Sequence, residues 1–325
     1  AISKNFKFNS KTRSLCILPL FHNNGQIATF FSPLYKGGSS VITFGKTNIY
    51  NFWNYINEYK ITWTSVMASI LSLLLSLKKQ KKNNSLKGIL CGGQILTSEI
   101  LNKFEKRFKV PIFEGYGLTE TTSFSCINKY PKNKRVSGSI GKSLVVNEMK
   151  ILDPKSFKEK KINQEGEICI RGFNVACYYH NLDQTNKKSF FRGWFRSGDY
   201  GFQDKKGNFF FSCRKDSLII KGGENIYPAE IENALYKIKG VEECAVIGIP
   251  DKFLGENICA FVKVEPKSKL SVLTINKKLS NLLGDFKSPK FIIIINNLDD
   301  LKEIPKGPTK KILYRKLKKY YEKYY

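Results

Sequence analysis

The sequence predicts an α/β fold in two parts, a large layered α/β domain followed by a small α+β domain. Two observations lead there. Short apolar runs alternate with helically spaced segments over the first two-thirds of the 325 residues, and a second, compact alternation follows a polar break at residues 214–216. The expected division is therefore 1–213, a hinge at 214–216, and 217–325, each part large enough to bury its own core. In order, strands are predicted at 14–18 and 39–43, the second entered through Gly37-Gly38. Helical spacing covers 51–59 and 67–77, and a strand at 86–90 runs into Cys91-Gly92-Gly93. Thr97 or Ser98 can cap a helix whose Ile100, Leu101, Phe104 and Phe108 recur every three to four residues. A strand at 110–113 then leads into a glycine-containing loop. Short strands are predicted at 167–171, 208–212 and 218–220, with 204–208 as a hairpin connection. Pro228 suits the first turn of a helix with Ile231, Leu235 and Ile238 on its apolar face and Gly240 as its stop. Strands at 244–249, 259–264 and 291–295, with a helix over 272–283, complete the second part.

Composition narrows the function classes. Eight cysteines are scattered without a CxxC pair, and His22 and His180 are the only histidines, which argues against a zinc site or a disulfide scaffold and fits a reducing cytosol. The net charge of +28 invites a nucleic-acid or membrane reading. Lysine, however, recurs in nearly every polar stretch, so a diffuse solvated surface that also steers anions is the preferred explanation, and no specific nucleic-acid or integral membrane partner is expected. The longest apolar run, 65–77, is shorter than the roughly 18 residues of a spanning helix. The expected location is cytoplasmic, with peripheral membrane association left open.

An ordered set of motifs carries the chemistry. It comprises Pro19-Leu20-Phe21-His22-Asn23-Asn24-Gly25, Cys91-Gly92-Gly93, Tyr116-Gly117-Leu118-Thr119-Glu120, and Gly166-Glu167-Ile168 through Gly172. Gly193-Trp194-Phe195-Arg196-Ser197-Gly198-Asp199, Arg214-Lys215-Asp216, Lys221-Gly222-Gly223-Glu224-Asn225-Ile226-Tyr227-Pro228, and Ile304-Pro305-Lys306-Gly307-Pro308-Thr309-Lys310-Lys311-Ile312 complete it. In this order and spacing the chain resembles the acyl-adenylate-forming superfamily, especially acyl-coenzyme A synthetases and 4-coumarate-ligase-like enzymes, across essentially its whole length. The resemblance implies a partial large layered α/β adenylate-forming domain followed by a small mobile α+β domain, and ATP-dependent activation of a carboxylic acid as acyl-AMP, followed by transfer to coenzyme A, with ATP, Mg²⁺ and coenzyme A as cofactors and cosubstrates.

Site residues follow from the resemblance position by position. Tyr116 would offer an aromatic face to adenine, and Gly117 would let backbone approach the base. Thr119 would contact phosphate, and Glu120 would hold Mg²⁺ through a hard carboxylate oxygen. Gly92 and Gly93 would line the adenine and substrate side, with Cys91 packing rather than reacting. Asp199 would accept hydrogen bonds from both ribose hydroxyls, with Arg214 supporting the nucleotide through its fork of donors. Lys311 would be the catalytic lysine that relieves repulsion between carboxylate and α-phosphate. Lys310 stands immediately before it, where the family usually has glycine. Asp216 would be the hinge, and Lys221, Gly222 and Gly223 would form the pantetheine passage during thioester synthesis. His22 would gate the acid or guide the thiol, and the absence of a GxSxG elbow argues against a hydrolase triad.

The resemblance also implies an upstream Thr/Ser/Gly-rich phosphate-binding loop that this sequence begins too late to contain, so the chain by itself is expected to be weak or inactive. The Leu-, Ile- and Phe-rich stretch before Lys78 favours a fatty or other hydrophobic acid as substrate, although the same residues could pack helices on the sheet. Two alternatives stand beside this reading: transfer to the phosphopantetheine of a carrier protein, and a basic nucleic-acid-binding or noncatalytic protein.

Overall fold

The computed structural model describes residues 1–43, 49–77, 85–94, 96–266, 268–307 and 312–325. They divide into two compact units, 1–197 with 201–211, and 198–200 with 212–325.

The first unit is built on a seven-stranded sheet of β1 (Arg13–Cys16), β2 (Ser39–Ile42), β3 (Trp63–Val66), β4 (Gly88–Cys91), β5 (Ile112–Tyr116), β6 (Cys126–Ile127) and β7 (Lys142–Ser143), in the order β2-β1-β3-β4-β5-β6-β7. The first five run parallel, with Trp63 opposite Gly88 and Ile89 opposite Ile112, whereas β6 and β7 are antiparallel. Strands β3, β4 and β5 are buried along their whole length, as parallel strands covered on both faces must be. Alternation sorts their side chains: Val66, Ile89, Cys91 and Ile112 join one core, while Trp63, Leu90 and Phe113 join another with Phe6, Phe124 and Ile127. The β5 strand forms two residues later than expected, because Pro111 has no N–H to give to the ladder and contributes only its carbonyl, which accepts from the Ile89 amide at 2.9 Å.

The helices cover the first face. Phe52–Glu58 buries Phe52, Trp53 and Ile56, and Ser98–Phe108 buries Leu101 and Phe104. Thr97 caps the second of these, its hydroxyl accepting from the Ile100 amide at 3.3 Å. Helix Ala68–Ser76 buries Ala68, Ile70, Leu71 and Leu74 in the same core. Of the apolar residues that suggested a hydrophobic acid pocket, Ile70, Leu71 and Leu74 are used for packing, at roughly 1.5–3 kcal/mol per buried aliphatic side chain.

A second sheet holds β8 (Asn147–Leu152), β9 (Gly166–Gly172), β10 (Phe190–Phe191), β11 (Trp194–Gln203) and β12 (Phe209–Arg214), ordered β10-β11-β9-β8 with β12 against β11. The turn between β11 and β12 is the expected hairpin, with Asp204 accepting from the amides of Lys206 at 2.9 Å and Asn208 at 2.8 Å.

The second unit centres on β13 (Ile219–Lys221), β14 (Glu224–Ile226), β15 (Val241–Asp251), β16 (Gly255–Val264) and β17 (Phe291–Ile294), ordered β14-β13-β16-β15 with β17 parallel to β16. Both long strands exceed their expected bounds, since pairing runs from Val241↔Val264 to Asp251↔Gly255. Helix Pro228–Tyr236 starts with its proline in the first turn and buries Ile231 and Leu235, and Ile238 is buried just beyond its end. Helix Val272–Leu283 begins at Ser271, whose hydroxyl accepts from the Thr274 amide at 3.2 Å. The buried Glu232 carboxyl accepts from the Val246 amide at 2.9 Å and the Tyr314 hydroxyl at 3.1 Å, and burial pushes its pKa up to about 7.

Seven of the eight cysteines are buried, and burial raises the Cys91 thiol well above its ordinary range, as its packing role requires. Among the described residues no helix is long and apolar enough to cross a membrane.

Candidate active site

In the first unit three of the motifs follow the carboxyl ends of parallel strands. His22 lies after β1, Gly92 and Gly93 after β4, and Gly117 through Glu120 after β5. The sheet topology therefore gathers them along one edge, where open α/β sheets bind ligands.

Specific hydrogen bonds join the segments. The Asn23 amide nitrogen donates to the Thr119 carbonyl oxygen at 3.2 Å, connecting residues 96 positions apart. The Asn24 side-chain oxygen accepts from the hydroxyl of buried Ser65 at 2.6 Å, in a helix of π geometry over Asn24–Phe31. Such geometry is uncommon and recurs at functional sites. Thr29 within it donates to the Gly25 carbonyl at 2.8 Å. His22 is exposed, with its ring 4.6 Å from that of Phe21.

The segment after β5 is held by its own side chains. Thr121 accepts from the Leu118 amide at 3.0 Å and places Thr119–Thr121 in a single 3₁₀ turn. Thr119 is exposed and Glu120 half-buried. Glu120 is fastened twice: its carbonyl accepts from the Ala176 amide at 2.7 Å, and its Oε1 accepts from the Tyr179 hydroxyl at 2.8 Å. Burial, and then Glu120 itself, pushes the Tyr179 phenol up to about 12, so it stays a donor. Tyr116 is buried among Cys126, Met149, Ile151, Ile168 and Phe209. Gly117 has a packing reason in addition to the one read from the motif, because a Cβ there would lie 1.6 Å from the Ser123 carbonyl oxygen.

The donor set suits a hard cation. Glu120 supplies a carboxylate, Thr119 a hydroxyl, and a magnesium ion bound to nucleotide phosphates needs only one or two protein carboxylates. Among the described residues no cluster of three or more His, Cys, Asp or Glu forms an all-protein metal site.

In the second unit Asp199 is 1% exposed, and its Oδ1 lies 3.1 Å from Nε of the exposed Arg214. Asp216 is exposed in the 3₁₀ turn Lys215–Ser217. Gly222 and Gly223 have φ of +57° and +84° and make the tight turn between β13 and β14. Lys221 is buried, donates to the Phe286 carbonyl at 2.7 Å, and borders a cavity of about 450 Å³ with Asn257, Asn276, Ser280 and Lys290. Burial pulls its pKa down, and Lys290 adds to that while Asp251 opposes it. Lys311 lies outside the described residues. Lys306, three residues after Glu303, pairs with Glu243 at 2.6 Å.

A family model described as AMP-binding enzyme matches residues 1–180, and one described as AMP-binding enzyme C-terminal domain matches residues 230–303. The chain belongs to the AMP-binding enzyme family. The chain is 32% identical over 317 residues to sulfoacetate–CoA ligase of Cupriavidus necator, covering 97% of the chain and 60% of the relative. It is 31% identical over 298 residues to oxalate–CoA ligase of Arabidopsis thaliana, covering 90% and 58%. Among solved structures it is similar to O-succinylbenzoate coenzyme A synthetase from Bacillus subtilis in complex with ATP and magnesium ion, at TM-score 0.82 and 29% identity, covering 97% of the chain and 63% of that structure. The chain thus spans about three-fifths of the length of these relatives.

Sequence reasoning reached the motif residues but missed Asn23, Asn24, Ser65, Asn174 and Tyr179 as structural partners. Asn23 and Asn24 stood inside a quoted motif. Tyr179 carried no signal, since its contact with Glu120 spans 59 positions.

Proposed function

We propose that the protein is an acid–CoA ligase, which uses ATP to convert a carboxylic acid into its acyl-adenylate and passes the acyl group to coenzyme A. The observation that supports this best is the Asn23–Thr119 hydrogen bond, which ties the His22 segment, suited to an acid, to the Thr119–Glu120 segment, suited to phosphate and its cation. Acid and α-phosphate can then meet at one sheet edge. Asp199 grips the ribose. Glu120 and Thr119 hold the Mg²⁺-bound phosphates, and the magnesium offsets the phosphate charge when bound. Lys311, whose assignment rests on the motif resemblance, reduces repulsion between the carboxylate and the α-phosphate. Asp216 is the hinge, and Lys221, Gly222 and Gly223 line the thiol passage.

The acid we propose is small and polar, with a second anionic or hydrogen-bonding group. Leu71 and Leu74 of Ala68–Ser76 are buried in the core with Leu75 packed against it, whereas the residues entering the π-helix are His22, Asn23 and Asn24. This is supported by relatives named for sulfoacetate, oxalate and O-succinylbenzoate, acids that each carry a second anionic group. Coenzyme A is the acceptor in all three names. A panel of acids offered to the full-length protein, with AMP and pyrophosphate measured, tests this. Short diacids and sulfonated acids should give the highest kcat/KM, and a medium- or long-chain fatty acid outperforming them would overturn the substrate class.

A further inference from the structure

Among the described residues, one oxygen of the Glu120 carboxylate has a protein partner: Oε1, which accepts from the Tyr179 hydroxyl at 2.8 Å. The residue that carries this hydroxyl is held through its backbone and its ring. The Tyr179 amide donates to the Asn186 side-chain oxygen at 2.7 Å, and the Asn186 amide nitrogen returns a bond to the Tyr179 carbonyl at 2.8 Å. The Tyr179 ring packs on Phe190, centroid to centroid 5.5 Å. The chain at Glu120 and the two residues after it is tied to the same region. Ala176 donates to the Glu120 carbonyl at 2.7 Å, the Thr122 hydroxyl donates to the Asn174 carbonyl at 2.8 Å, and the Asn174 amide donates to the Thr121 carbonyl at 2.8 Å. Residues 120–122 and 174–179 are therefore zipped together by four hydrogen bonds, of which the Tyr179–Glu120 bond alone engages the carboxylate.

A carboxylate that rotates freely about its last torsion presents a cation with a moving target. A hydrogen bond to one oxygen fixes the plane of the group and leaves the other oxygen to face outward, which is how second partners commonly orient metal-binding side chains. We infer that Tyr179 is a positioning residue for Glu120, holding Oε1 so that Oε2 is presented to the magnesium ion of Mg²⁺–ATP. This rests on the proposed function, and in particular on Glu120 as the magnesium-holding carboxylate. Tyr179 itself touches neither the nucleotide nor the reacting atoms in this assignment; it acts through Glu120.

Tyr179→Phe is the discriminating substitution, since it keeps the ring against Phe190 and removes only the hydroxyl. In the full-length protein, Mn²⁺ is used as the probe and its binding is followed by electron paramagnetic resonance with a non-hydrolysable ATP analogue present. The variant should bind Mn²⁺ about tenfold more weakly, within the 10- to 100-fold cost of losing such a partner. The Mg²⁺ concentration that half-saturates acyl-adenylate formation should rise by a similar factor, more than the maximal rate falls. Asn186→Ala, which loosens the backbone clamp but leaves the hydroxyl, should shift both quantities in the same direction by less. Glu120→Gln separates the two levels of the argument. If it weakens Mn²⁺ binding and Tyr179→Phe does not, the positioning role is wrong and the proposed function stands. If Glu120→Gln itself leaves Mn²⁺ binding unchanged, the metal assignment in the proposed function fails, and the role of Tyr179 fails with it.

Discussion

Replacing Lys311 with alanine in the full-length protein is expected to slow acyl-adenylate formation by about 10²–10³-fold, the usual cost of removing a donor aimed at charge that develops in the transition state. Attack of a carboxylate on an α-phosphate brings two anions together, and an ammonium reaching both lowers that repulsion most when the new bond is partly formed. Acyl transfer from supplied acyl-adenylate to coenzyme A has no such encounter and should change little. The two half-reactions are read separately by acid-dependent pyrophosphate exchange and by thioester formation from synthetic acyl-adenylate. An equal loss in both would remove Lys311 from its assigned role. Lys306, the motif's earlier lysine, is engaged by Glu243 at 2.6 Å, and its substitution should affect exchange less.

Asp199→Ala is expected to lower kcat/KM for ATP by about 10²-fold. A carboxylate accepting from two ribose hydroxyls makes two charge-assisted hydrogen bonds, each worth roughly 1.5–3 kcal/mol, part of which water recovers in the variant. Asp199 is almost wholly buried and lies beside the Arg214 guanidinium, so alanine also leaves a cation without its carboxylate. Asp199→Asn keeps the shape and one acceptor, and should retain more activity than alanine. The measurement is steady-state kinetics with ATP varied, alongside thermal unfolding. A variant with unaltered ATP dependence would show that the carboxylate is structural.

Much of this arrangement was legible in the residues. Short buried parallel strands read as apolar runs, and the helix over Ser98–Phe108 announced itself through its cap and periodicity. The motifs after β1, β4 and β5 could be seen to follow predicted strands, but that His22, Gly92 and Glu120 share an edge emerges only from the parallel pairing of those strands. What the residues did not disclose depends on long-range pairing. The leucines before Lys78 had two uses open to them, pocket or core, and only the packing of Ile70, Leu71 and Leu74 decides between them. Gly117 read as an approach to nucleotide, while its neighbour Ser123 imposes an independent steric demand. The π geometry of Asn24–Phe31 has no local code, and the Tyr179–Glu120 contact depends on a loop folding back over 59 positions. The high positive charge, by contrast, told little about the site, because lysine is spread across the whole chain.

Oxygen transfer reports most directly on whether the acid is activated through its adenylate. The full-length protein is given an acid labelled with ¹⁸O in its carboxylate, together with ATP, Mg²⁺ and coenzyme A, and the released AMP and pyrophosphate are analysed by mass spectrometry. Attack of the carboxylate on the α-phosphate, followed by thiol displacement, leaves one labelled oxygen in AMP and none in pyrophosphate. Unlabelled AMP formed together with the thioester would contradict that route.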